Sequence, residues 1–92
     1  TVSKVFVAPI KPAQVKFASI VAEKLRAEGV SCSIDLVGRS LPKNLEYASK
    51  QGVLFVAIIG EREEKAEKFT LRNMKSGEEK LLSLQDALKA LR

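Results

Sequence analysis

Residues 30–60 read VSCSIDLVGRSLPKNLEYASKQGVLFVAIIG. A short apolar strand over residues 31–36 feeds a Gly38-Arg39-Ser40 turn. A helix over residues 40–51 follows, with Ser40 in position to cap it and Pro42 in its first turn, where a missing N–H costs nothing. Its apolar face is Leu41, Leu45 and Ala48 with Tyr47 at the edge, and Gly52 marks its end. Residues 53–59 are then apolar throughout. A strand with no polar alternate is covered on both sheet faces, so this one is expected at the sheet centre.

Working outward, residues 4–8 (KVFVA) form a first strand stopped by Pro9. Pro12 opens a helix over residues 12–28, in which Val15, Ala18, Val21, Ala22 and Leu25 recur at helical spacing and Phe17 and Ile20 widen the apolar arc. Gly29 follows as a left-handed cap. The order is β-α-β-α-β, whose right-handed crossovers make the first three strands parallel, with both helices on one face or one on each. Downstream, residues 69–72 and 80–82 are short strands around a hairpin connection at residues 73–77. Ser83 with Asp86 opens a last helix whose apolar side is Leu84, Ala87, Leu88 and Leu91. EREEKAEK, residues 61–68, fits a charged helical turn or an open loop equally well.

The 92 residues suit one domain, 46% apolar and 29% charged, with no apolar run near the roughly 20 residues of a membrane helix. The opening Thr-Val-Ser-Lys reaches a strand at once, as in a domain cut from a longer chain. Cys32 is single and reads as a buried, inert thiol. The formal charge is +5, concentrated early: residues 1–52 hold eight basic and four acidic side chains, residues 61–80 six of each. This balance permits an anionic partner through a local site rather than through bulk charge.

Catalytic chemistry is poorly supplied. There is no histidine, hence no Cys-His or Ser-His nucleophile pair and a poor zinc donor set. Asp35 reads better as an acceptor for turn N–H groups than as a general base. Gly38 and Gly60 lack the neighbours of a phosphate loop or dinucleotide fingerprint.

In a parallel sheet the carboxyl ends of the strands share one edge, where ligands bind. That edge receives Pro9, Ile10 and Lys11, then residues 37–40, then residues 60–63. Lys43 and Asn44 lie near the start of the second helix, and the register of the fourth strand turns Arg72 toward this edge or away. Arg39 and Lys43 suit phosphate or a base acceptor, Asn44 both donates and accepts, and Glu63 accepts from a base N–H. The plainer alternatives are a solvated turn for Arg39, solvated helix surface for Lys43, a surface charge run for Glu63 and a simple cap for Ser40. Phe6, Phe17, Phe55 and Phe69 all sit in apolar patterns and read as core.

These residues resemble the C-terminal anticodon-binding domain of class II aminoacyl-tRNA synthetases, most nearly the histidyl enzymes. The resemblance rests on Val5-Phe6-Val7-Ala8-Pro9, on Asp35-Leu36-Val37-Gly38-Arg39-Ser40-Leu41 with Lys43-Asn44-Leu45-Glu46-Tyr47-Ala48, and on Val56-Ala57-Ile58-Ile59-Gly60-Glu61-Arg62-Glu63. Thr70-Leu71-Arg72-Asn73-Met74 with Ser76-Gly77-Glu78 completes it. It implies an α/β fold, a three-layer α/β/α domain whose mixed five-stranded sheet has its first three strands parallel and the fourth antiparallel. It implies that Arg39, Lys43, Asn44, Glu46, Glu63 and Arg72 contact the anticodon stem-loop of a tRNA, with no catalytic residue and no cofactor within residues 1–92. ATP and magnesium would belong to a class II catalytic domain of the same chain, in a cytoplasmic, homodimeric, non-membrane parent that ligates histidine to its tRNA. Two departures stand out: Glu46, where a basic residue is common, and Ala66-Glu67, where many relatives carry a glycine-containing turn. The alternative reading is a free-standing paralogue that binds another RNA or a protein; a small flavodoxin-like enzyme comes third.

Overall fold

The computed structural model describes residues 3–91. β1 (Val5–Pro9) is followed by a 3-10 turn (Pro12–Gln14) and α1 (Val15–Ala27), then β2 (Cys32–Ile34), α2 (Leu41–Gln51) and β3 (Phe55–Ile59). α3 (Glu61–Ala66), β4 (Phe69–Asn73), β5 (Glu79–Leu82) and α4 (Leu84–Leu91) complete the chain. The five strands order as β2-β1-β3-β4-β5. β1 pairs parallel with both β2 and β3, whereas β4 pairs antiparallel with β3 and β5. The all-apolar strand is central, as its lack of alternation requires.

Two apolar clusters lie on opposite faces of the sheet. Val5, Val7, Ala57, Ile59, Phe69 and Leu71 pack with Ala18, Val21, Ala22 and Leu25 of α1 and Ala87, Leu88 and Leu91 of α4. Phe6, Ala8, Val56 and Ile58 pack with Ala48 of α2, flanked by the half-buried Leu41 and Leu45. The first two helices therefore take opposite faces, and the layers run α/β/α. Cys32 is buried, with Sγ donating to the Ala22 carbonyl at 3.3 Å. Burial pushes its thiol pKa up, against the lowering effect of Arg26, in keeping with an inert side chain.

Two local expectations need correction, and one open alternative is decided. The second strand stops at Ile34 rather than reaching residue 36, and Leu36 and Val37 are 71% and 76% exposed. Asp35 ends it by gathering the N–H groups of Val37 and Arg39 into a turn. Ser40 holds the cap position of α2, yet its hydroxyl makes no capping hydrogen bond. Pro42 removes one of the two N–H groups that such a side chain can reach. Within residues 61–68, which fit a helical turn or a loop equally well, Glu61–Ala66 form the short α3, and Glu67 ends it at φ +55°. That is the left-handed region, and here a residue with a Cβ occupies it.

Candidate nucleic-acid interface

Asp35 organises the loop between β2 and α2. Its Oδ1 accepts from the Val37 N–H at 2.9 Å and from Arg39 Nη1 at 3.0 Å, while Oδ2 accepts from the Arg39 N–H at 3.0 Å. Burial raises the Asp35 carboxyl pKa. The hydrogen bonds from Val37, Asn44 and Arg39, with the charge of Arg39, outweigh that and hold it below the ordinary range. The turn-acceptor reading of Asp35 is thus the observed one.

The same contacts aim Arg39. Its guanidinium carbon lies 4.3 Å from the centre of the Tyr47 ring, which in turn tilts against Phe6 with centroids 5.3 Å apart. Arg39, Lys43, Glu46, Tyr47 and Lys50 line one open groove of about 440 Å³ along α2. Lys43, Tyr47 and Lys50 share a helical stripe at spacings of four and three. Lys50 is the residue missed from sequence, although that spacing was there to be read. Glu46, also on the groove, pairs with Lys50 at 3.1 Å in an exposed ion pair that solvent weakens.

Asn44 does not join this surface. It is 1% exposed, and its Nδ2 donates to the Arg39 carbonyl at 3.3 Å, so it secures the loop from beneath. Helical rotation explains the difference, because Asn44 falls on the same buried side as Ala48.

Glu63 is also inward, at 5% exposure. Its Oε1 accepts from the Gly60 N–H at 2.9 Å, and Oε2 accepts from Thr70 Oγ1 and Arg62 Nη2, both at 3.0 Å. This is half of a capping box, with the third helical residue reaching back to the cap position. Burial pushes the Glu63 carboxyl up, but Arg62, the Gly60 N–H and the Thr70 hydroxyl together hold it low. The carboxylate keeps little spare acceptor capacity for a base. A Cβ on Gly60 would meet Glu63 Oε1 at 2.9 Å, so only glycine lets that carboxylate approach.

Arg72 lies away from the carboxyl edge. Antiparallel register sets it opposite Val56, whereas Thr70 lies opposite Ile58, two pairs nearer that edge. Val56 belongs to the α2-side cluster, so Arg72 projects on the same sheet face as α2. Its Nη1 donates to Glu79 Oε2 at 2.7 Å. The shared feature of Arg39, Lys43, Glu46 and Arg72 is therefore one face of the molecule rather than one edge of the sheet. Among the described residues no group of three or more His, Cys, Asp or Glu side chains is placed to hold a metal, and no helix is long and apolar enough to cross a membrane.

Known proteins share this sequence and this fold. The histidine–tRNA ligase of Methanococcus maripaludis is 38% identical over 86 residues, covering 91% of this chain and 21% of that protein. The histidine–tRNA ligase of Pyrococcus horikoshii is 41% identical over 83 residues, covering 90% of this chain and 19% of its own length. The chain thus spans about a fifth of the curated relatives it matches. The crystal structure of histidyl-tRNA synthetase from Nostoc sp. PCC 7120 superposes with a TM-score of 0.93 at 30% identity, over 99% of this chain and 22% of that one. The RNA-binding domain of threonyl-tRNA synthetase from Cryptosporidium parvum shares the fold, with a TM-score of 0.92 at 23% identity over 97% of this chain and 22% of that one. The family model described as an anticodon binding domain matches residues 4–92, and the chain belongs to that family.

Proposed function

We propose that this chain is the C-terminal anticodon-binding domain of a histidyl-tRNA synthetase and grips the anticodon stem-loop of the histidine tRNA. The observation that carries the reading is the groove on α2, where Arg39, Lys43 and Lys50 present three cations beside the Tyr47 ring. Cations at that spacing suit consecutive phosphates of a loop, and the Arg39 guanidinium lying over Tyr47 offers its own plane to an unstacked base. The likeness to histidine–tRNA ligases selects the RNA. The domain breaks no bond. It raises the occupancy of the correct tRNA, and ATP, magnesium and histidine activation belong to a class II catalytic domain elsewhere in a homodimeric, cytoplasmic parent.

The test titrates the chain with the histidine anticodon stem-loop and with loops altered at the anticodon, at fixed salt. Tighter binding of the matched loop, weakened about equally for every loop by Lys43→Ala, supports the reading. Equal affinity for all loops, unaffected by that substitution, points instead to another RNA or a protein partner.

A further inference from the structure

At the carboxyl edge of the sheet lies a side-chain acceptor that the fold leaves unused. Gln14 closes the 3-10 turn after β1 and is 4% exposed. Its Nε2 donates to Glu64 Oε1 at 3.3 Å. A carboxylate accepts only, so the amide nitrogen must be the atom facing Glu64, and the partner settles the amide orientation. Oε1 is then buried with no hydrogen-bond partner among the described residues. Native proteins rarely leave such an atom unpaired, because the lost hydration is not replaced.

Gln14 lines a groove of about 390 Å³ with Ile10, Lys11, Gly60, Glu61, Arg62 and Glu63. That volume lies within the range of small-ligand pockets. Ile10, 41% exposed, offers an apolar surface, and Lys11 and Arg62 are exposed cations beside it. An apolar wall, a buried acceptor and flanking cations together match one nucleotide: a base plane, a base N–H and a phosphate. Glu63 has its oxygens engaged by Gly60, Thr70 and Arg62, and Glu61 is a solvated carboxylate paired with Lys65 at 3.2 Å, which leaves Gln14 as the buried acceptor of the groove without a partner among the described residues.

We propose that Gln14 Oε1 reads a base N–H of one unstacked anticodon nucleotide seated in this groove. The inference rests on the anticodon-binding reading above and names Gln14 as a specificity-determining residue within it.

The experiment is a cycle between protein and RNA. Wild type and Gln14→Met, which keeps side-chain length and removes the amide, are each titrated with the matched stem-loop and with three loops altered at one anticodon position. The substitution should weaken matched binding roughly 5- to 150-fold, the range of one specific base contact, and that loss should vanish for the loop altered at one position only. An equal loss for all four loops, or no loss, overturns the role of Gln14, while a retained matched-loop preference in wild type keeps the anticodon reading. Absence of that preference in wild type sinks both. If Gln14→Met fails to fold by circular dichroism, wild type is titrated with loops N-methylated at one base at a time. A loss confined to one position supports the contact, and no loss at any position overturns it.

Discussion

Thr70 Oγ1 donates to Glu63 Oε2 at 3.0 Å beneath the surface, joining α3 to β4 across the sheet's carboxyl edge. Because Glu63 also accepts from the Gly60 N–H, one carboxylate fastens the end of β3, the start of α3 and the second residue of β4. The helix is only six residues long and could not hold its shape alone.

Glu63→Ala should therefore act on stability first. It strands the Gly60 N–H and the Thr70 hydroxyl, both in a buried setting, and should cost about 2–4 kcal/mol. The check is urea denaturation at neutral pH. An unchanged midpoint would mean that the carboxylate is dispensable to the fold and free to serve RNA directly.

Asp35 and Glu63 both have carboxyl pKa values lowered in the folded protein. A lowered folded value means that the unfolded chain takes up protons first. Their stabilisation is then fully present above the ordinary carboxyl range near about 4, and is lost as pH falls through the lower folded values. Unfolding free energy measured between neutrality and strong acid should fall in that window, and less steeply for the Asp35→Asn, Glu63→Gln double variant. Parallel curves for the two proteins would contradict the assignment.

What could be read from sequence follows the range of the forces involved. Apolar period and punctuation are local, so the parallel β-α-β-α-β core, the central strand and the caps at Gly29 and Gly52 were all legible. The turn role of Asp35 was legible too, since its donors lie two and four residues on. Side-chain direction was harder. Asn44 is one position from Lys43, and a rotation of about 100° per residue separates a buried amide from an exposed ammonium. Glu63 sat in a run of charges whose composition says surface, and only the approach of Thr70 from β4 draws it inward. Arg72 depended on the β3–β4 register, which a sequence with two flanking loops of undetermined length does not specify. The free acceptor on Gln14 had no local signal.

Glu67 caps α3 at φ +55°, a conformation that disfavours any residue with a Cβ. Glu67→Gly should relieve that strain and raise stability by up to about 1 kcal/mol, the gain being reduced by the greater freedom of glycine in the unfolded chain. Thermal melting of the two proteins side by side decides it. A clear loss on substitution would show that the Glu67 side chain contributes more than its backbone strain costs.

Glu46 is the one acidic side chain lining the α2 groove, among Arg39, Lys43, Tyr47 and Lys50. Its ion pair with Lys50, at 3.1 Å between side chains about two-thirds exposed or more, adds little to stability. It does occupy Lys50 and repel an incoming phosphate. Glu46→Gln keeps the side-chain shape, removes that repulsion and frees Lys50, so melting should be nearly unchanged while affinity for RNA rises. Because the freed lysine adds one phosphate contact, the slope of log affinity against log salt should steepen by about 0.7 for a single-stranded loop. Discrimination between matched and altered anticodons should stay constant, since phosphate contacts carry no sequence information. Titrations at three salt concentrations with matched and altered stem-loops measure affinity, slope and discrimination together. Unchanged affinity and slope would place the bound backbone away from α2, whereas a change in discrimination alone would make Glu46 a reader of a base.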